Sequence, residues 1–248
     1  MTTLVWFILA TIWGTTWLFI KVGLNEDLPP FTFAGIRFLL ALLPLVALIA
    51  IQRRPIPRER STWIFMLLTG ILTFTINYGL VFWGAAYISS GLTAILATTI
   101  PLFGLLLAHF FVSSERITTF KIWGVVLGLA GVTLIFMRQL EGGDLYAPIG
   151  SLAIILSALG AALSNTLVKL HARDLDPLVL TTVQMFFGCI PLLTFGLLTE
   201  GNPLAFSWTT EALVALLYLA FMGSSVTFSL LYWLIKHIEV TKTQLIPF

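Results

Sequence analysis

Apolar residues run through this chain in blocks of about twenty, broken by short polar stretches and almost never alternating with a two-residue period. About 20 residues rising 1.5 Å each cross a hydrocarbon core of about 30 Å. By that ruler the spans are Leu4–Leu24, Phe31–Ile51, Trp63–Gly84, Leu92–Val112, Phe120–Met137, Ala147–Leu170, Leu178–Thr199 and Ala212–Ile235. From Ile238 to Phe248 a ninth apolar segment begins, too short to cross. Backbone groups in lipid must be satisfied within their own segment, so each run predicts a helix, and the missing alternation argues against a barrel. The connections carry turn chemistry: Asn25-Glu26-Asp27, the two-proline stretch from Arg53 to Arg60, Glu141-Gly142-Gly143-Asp144, and Glu200-Gly201-Asn202-Pro203. The fold class expected is an all-α polytopic membrane protein with eight full transmembrane helices and a truncated ninth.

Composition turns the pattern into a requirement. Of 248 residues, 58% are apolar and 10% charged, against about 45–50% and about 25% in soluble domains. One core of this size cannot hide that excess, so much of it faces lipid. A net charge of +2 gives no basis for a nucleic-acid partner. The lone Cys189, inside an apolar run, leaves no disulfide framework and no thiolate metal site. The first apolar run lacks a basic flank and a small-residue cleavage site, so it reads as a span and not as a signal peptide. Lysines and arginines of short loops mark the cytoplasmic side. With the N-terminus inside, the inner side holds Arg53, Arg54, Arg58, Arg60, Arg116, Lys121, Lys169, Arg173, Lys236 and Lys242, and the outer side only Lys21, Arg37 and Arg138. The expectation is a multi-pass protein of the cell (plasma or inner) membrane with a cytoplasmic N-terminus.

The chain also resembles itself. At an offset of 148, Ala10, Lys21, Pro29, Phe38 and Leu45 fall on Ala158, Lys169, Pro177, Phe186 and Leu193. At an offset of 150, Leu80, Trp83, Ile88 and Thr93 fall on Leu230, Trp233, Ile238 and Thr243. Helix boundaries coincide at nearly the same shift. A unit of five helices is odd, so a second copy enters the membrane from the opposite face. The reading is an inverted repeat of two five-helix units: residues 1–143 with helices one to five, and residues 144–248 with helices six to eight and the start of nine. Inverted repeats are an architecture of secondary transporters, with the substrate near the midplane between copies. Two complete units need roughly 290–300 residues at the membrane-length rule, so the chain reads as a fragment or a truncated frame.

Candidate chemistry sits in the polar residues at depth. Arg37 lies seven residues into the second span, where an arginine costs about 2.5–3.5 kcal/mol on insertion scales; it is expected to face a cavity or bridge helices. Lys21, nearer the edge, is expected to snorkel. Trp13, Thr16 and Trp17 share one face of helix one, where rings can stack on a solute and a hydroxyl can orient it, or can simply pack. Ser157, Ala161, Ser164 and Asn165 share a face of helix six, equally suited to lining and to helix contact. Asn77, Tyr78, Thr98 and Gln184 complete the set, each needing hydrogen-bond partners in hydrocarbon. Together Trp13, Thr16, Trp17, Arg37, Asn77, Tyr78, Thr98, Ser164, Asn165 and Gln184 are the expected substrate-binding residues. In that arrangement Arg37 attracts an anionic group, Trp13, Trp17 and Tyr78 stack, and the others orient. Pro101 kinks helix four. Gly124, Gly128 and Gly131 have the spacing of a close helix contact. All eleven Asp and Glu residues lie in loops or at helix ends. No catalytic set, metal site or cofactor is expected; were transport proton-coupled, the group would be His109 or would lie on a segment beyond Phe248, and His109 itself reads first as a packed or interfacial histidine.

The stretches Trp13–Lys21 (WGTTWLFIK), Pro29–Arg37, Ser89–Phe111 (SSGLTAILATTIPLFGLLLAHFF) and Ser113–Phe136 (SSERITTFKIWGVVLGLAGVTLIF) resemble the EamA-type transporters of the drug/metabolite transporter superfamily. The resemblance covers essentially the whole chain, and its most specific part is the Pro101 helix with Glu115 and the Gly124–Gly131 helix. It implies ten helices in two inverted five-helix repeats, movement of small metabolites, and a helix-nine counterpart of Pro101. The leading expectation is a secondary transporter of a small metabolite, amino-acid-like or another small organic solute, working as an exporter by alternating access. The alternatives are an integral-membrane enzyme acting on a lipid or isoprenoid substrate, and a scaffold without a solvated cavity. The enzyme would need acidic metal-binding pairs, and the nearest acids, Asp174 and Asp176 beside Arg173, read as a solvated loop. Expected partners are a small-molecule substrate and the lipid bilayer, with a homodimer admitted and no nucleic acid.

Overall fold

The computed structural model describes residues 2–111, scattered positions between 123 and 137, and residues 146–238. Every regular element among the described residues is helical. Seven helices are long and apolar enough to cross a membrane: α1 (Thr2–Asn25), α2 (Pro30–Gln52), α3 (Arg60–Tyr87), α4 (Ser90–Phe111), α5 (Tyr146–His171), α6 (Pro177–Thr199) and α7 (Thr210–Ile235). They correspond to seven of the eight expected spans, with ends shifted by a few residues. The expected fifth span, Phe120–Met137, falls largely outside the described residues, and so does the ninth segment beyond Ile238.

The helix starts follow from local chemistry. Pro30 and Pro177 open α2 and α6, where a missing N–H has no intrahelical partner to lose. Ser89, Asp176 and Thr209 cap α4, α6 and α7, each accepting a bond from a backbone N–H of the first turn. Past α2 the chain leaves through Arg53 at φ 49°, a left-handed cap.

Helices α2 and α6 lie along one another in antiparallel fashion, and both ends of the pair are tied. The Glu200 carboxylate, just past α6, accepts from the N–H groups of Phe31 (2.9 Å) and Thr32 (2.7 Å) at the start of α2. At the opposite end Arg54, just past α2, pairs at 3.0 Å with Asp176, the residue that also caps α6. Negative charge thus meets both helix N-termini, where it is favoured by the backbone dipoles. Helix α3 crosses α6 at its closest point through Gly70 and Gly188; a β-carbon on Gly70 would overlap the Gln184 backbone, and one on Gly188 would overlap Phe74 and the Gly70 carbonyl. Helix α5 packs between α3 and α4, and α7 against α1 and α2.

Two helices widen midway. Residues Ile71–Asn77 of α3 and Phe221–Val226 of α7 form π turns, and the two segments stand 150 residues apart. A π turn displaces carbonyls from their regular partners, and hydroxyl groups nearby bond across to other helices. Thr75 Oγ1 donates to Gly188 O of α6 at 2.7 Å, and Ser225 Oγ donates to Ala41 O of α2 at 2.8 Å. The lysines of α1 and α5 behave alike. Lys21 Nζ donates to Ala85 O (3.0 Å) and Ala86 O (3.2 Å) at the end of α3. Lys169 Nζ donates to Ile235 O (2.6 Å) and Ile238 O (2.8 Å) at the end of α7. A cation placed on the terminal carbonyls of a neighbouring helix satisfies groups the helix itself cannot. Lys21 is therefore a cap on α3, and not the snorkelling lysine that sequence position suggested.

Candidate functional site

A cavity of about 70 Å³ lies among α1, α3, α4, α5 and α7. That is room for several waters at about 10–15 Å³ of such volume each. Helix α1 contributes Trp13, Thr16, Trp17 and Ile20, one continuous face at spacings of three and four. Helix α3 contributes Thr73, Asn77, Tyr78 and Val81 from its π turn onward. Ala97 and Ile100 flank the break in α4, Ser157, Ala161 and Asn165 run along α5, and Phe228 and Leu231 close the far side on α7. Aromatic faces dominate the wall: Trp13 meets Phe228 edge-on with centroids 6.2 Å apart, and Tyr78 meets Phe228 at 5.8 Å. No acidic or basic side chain lines the cavity among the described residues. The indole Nε1 atoms of Trp13 and Trp17 are buried without a hydrogen-bond partner among the described residues and are not open to the cavity.

Six of the ten residues anticipated for substrate binding meet here: Trp13, Thr16, Trp17, Asn77, Tyr78 and Asn165. Arg37, Thr98, Ser164 and Gln184 do not line it. Arg37 is 1% exposed and points across to α7. Its Nε donates to Ser224 Oγ (2.8 Å) and Leu219 O (3.2 Å), and its Nη2 to Gly223 O (2.9 Å). Its charge rests on ring faces, 5.1 Å from the centroids of Phe38 and Tyr78 and 5.7 Å from Phe82. The guanidinium therefore uses its fixed fork to staple α2 to the π turn of α7, one layer behind Tyr78. Gln184 is fully buried where α6 crosses α3, donating from Nε2 to Thr69 Oγ1 at 2.5 Å. Ser164 is 1% exposed and bonds Thr73 Oγ1 at 2.5 Å. Asn165, one residue on and 100° round the helix, takes the cavity position. Thr98 is exposed, its hydroxyl bonded back to Ile95 O at the break in α4.

Sequence reasoning left out Phe228, along with Ile20, Thr73, Val81, Ala97, Ile100 and Leu231. A signal for Phe228 was present, since it stands at the 150-residue offset from Tyr78, which the sequence did single out. Thr73 carried a signal too, since it stands four residues before Asn77 and therefore on the same helix face.

A bundle of apolar helices around an aromatic, uncharged cavity defines a polytopic membrane protein with a cavity among its helices. The sequence profile of the EamA-like transporter family matches residues 1–137 and again 148–248, and the chain belongs to that family. Among its relatives, the Bacillus subtilis (strain 168) uncharacterized transporter YoaV is 29% identical over 234 residues, covering 94% of this chain and 79% of that protein. The uncharacterized transporter YvbV of the same organism is 30% identical over 243 residues, covering 96% and 78%. The uncharacterized inner membrane transporter YedA of Escherichia coli (strain K12) is 28% identical, covering 94% and 74%. In three dimensions the chain superposes on a protein of known crystal structure with a TM-score of 0.74 at 17% identity, covering 99% of this chain and 85% of the other.

Proposed function

We propose that the protein moves a small organic solute, amino-acid-like or similar in size, through the cavity among α1, α3, α4, α5 and α7, working as an exporter by alternating access between two inverted repeats. The observation that carries the site is the wall itself. Stacking faces and two carboxamides, those of Asn77 and Asn165, converge on one space. Family membership supports transport as the activity.

The repeat reading, residues 1–143 and 144–248, is supported by three pairs of equivalent features. These are the π turns at an offset of 150, the reciprocal hydroxyl bonds of Thr75 and Ser225, and the lysine caps of Lys21 and Lys169. Helices α2 and α6 are the equivalent pair that meets at the centre, which is what a two-fold axis in the membrane plane requires. The family profile matching twice favours the same division. The asymmetry of short-loop lysines and arginines favours a cytoplasmic N-terminus in a cell membrane.

In this reading Thr16, Asn77 and Asn165 orient the solute, and Trp13, Trp17 and Tyr78 stack on it. Arg37, Ser164 and Gln184 hold the helices that carry those groups, and Arg37 adds a positive field through the Tyr78 ring. The test is uptake of a labelled solute panel into proteoliposomes. Trp17→Ala and Asn165→Leu should each lower transport at least tenfold, while Thr98→Ala, outside the cavity, leaves it unchanged. Cavity variants that transport like the parent would overturn the site.

A further inference from the structure

Seen from the end of the bundle where α2 stops and α3 begins, the connection is a run of arginines on a stiff frame. Residues 53–60 read Arg-Arg-Pro-Ile-Pro-Arg-Glu-Arg. Two prolines within three residues forbid helix and remove two N–H groups. The loop is pinned at both ends: Arg53 N–H and Arg54 N–H return to Ala50 O and Ile49 O, and Trp63 Nε1 donates to Pro57 O at 2.8 Å. Arg54 is spoken for, bonded to Gln52 Oε1 and paired with Asp176. Arg53, Arg58 and Arg60 are exposed, and among the described residues their guanidinium groups have neither an ion pair nor a hydrogen bond. Among the described residues the acids at this end are few: Asp176 is engaged by Arg54 and by α6, Glu59 accepts from Ser61, and Asp174 stands beside Arg173.

Between the prolines, Ile56 is 56% exposed, and Ile51 at the end of α2 is 77% exposed. A branched apolar side chain held out at the tip of a polar loop is unexplained by contacts within the protein. The loop joins two membrane-crossing helices, so it lies at the level where phospholipid phosphates begin and acyl chains end. Trp63, half-buried and anchored to the loop, has the amphipathic character of residues at that depth.

We infer that this loop is a binding site for the headgroup of an anionic phospholipid. Arg53, Arg58 and Arg60 receive the phosphodiester, and Ile56 and Ile51 lie against the first methylenes of the acyl chains. Charge complementarity and apolar depth both select a lipid over a soluble anion, since a free phosphate has nothing to offer Ile56. The inference does not depend on what the central cavity carries.

The test is native mass spectrometry of the full chain released from detergent containing phosphatidylglycerol or phosphatidylcholine. Each basic residue near an anionic lipid surface contributes about 1 kcal/mol, a factor of about 5, so three supply on the order of 100-fold. Retention of phosphatidylglycerol should fall by about that factor in R53Q/R58Q/R60Q, with phosphatidylcholine retention unchanged. R54Q should retain phosphatidylglycerol within a factor of about 2, because that guanidinium is already paired. Ile56→Ser should weaken phosphatidylglycerol several-fold. The inference is overturned if the triple variant keeps its lipid, if R54Q loses as much as the triple variant, or if Ile56→Ser is silent. It is overturned too if inorganic phosphate displaces the lipid at equal concentration, which would make the loop a general anion patch.

Discussion

Replacing Arg37 by alanine separates two roles that a buried arginine can play. In the structure its guanidinium spends three hydrogen bonds on α7, at 2.8, 2.9 and 3.2 Å, and touches no part of the cavity surface. Hydrogen bonds from a charged donor contribute about 1.5–3 kcal/mol each in net terms, and desolvating the guanidinium takes several kcal/mol back. Removing one side of such a buried constellation costs about 3–5 kcal/mol, partly because the partner groups are left behind without donors. At about 2–4 °C per kcal/mol for a chain of this size, Arg37→Ala should melt on the order of 10 °C below the parent. The assay is tryptophan fluorescence on heating in detergent, beside solute uptake in proteoliposomes at a temperature where the variant is folded. A stapling arginine predicts a large fall in melting temperature, with the KM of whatever solute is transported nearly unchanged. Arg37→Lys should recover part of the stability, because an ammonium can reach one carbonyl but cannot reproduce the fork. Melting within about 2 °C of the parent, together with lost uptake, would refute this reasoning and return Arg37 to the solute.

Other outcomes follow from the same contacts. Asn165→Cys should react with a small hydrophilic thiol reagent and Ser164→Cys should not, measured by mass shift; Cys189 is 1% exposed and should stay silent in both. Gly188→Leu should fail to give a monodisperse peak on size exclusion, because the side chain has only Phe74 and the Gly70 carbonyl to enter. Lys21→Met and Lys169→Met should lower stability by similar amounts, about 1–3 kcal/mol each for the carbonyls left uncapped, read as parallel shifts in thermal melting. A large effect of one and none of the other would count against the equivalence of the two halves.

The bundle was legible because its cause is local. A run of about twenty apolar residues in lipid has one way to satisfy its backbone, and the run itself displays its length. The cavity was legible in part, for a related reason: Trp13, Thr16, Trp17, Asn77, Tyr78 and Asn165 are polar or amphipathic groups at depth, and such groups must turn away from lipid. Depth alone does not say which inward direction a side chain takes. Ser164 and Asn165 are neighbours in sequence, yet one closes a contact with Thr73 and the other faces open space. Thr98 looked embedded because the hydropathy window runs through it, but the break in α4 turns it outward.

The sequence by itself therefore determined that this protein is a membrane bundle and, to within a few residues, where the seven described spans lie. Those properties depend on composition and spacing along one chain. Only the tertiary structure decided what the charged and amide groups do. Arg37 finds its acceptors 182 to 187 residues away on α7, and Gln184 finds Thr69 115 residues away on α3. The π turn of α7 presents the Gly223 carbonyl that Arg37 of α2 takes up, and no periodicity announces it. A buried polar group must have a partner, and the identity of that partner is fixed by which helices cross, which is a property of the packed bundle.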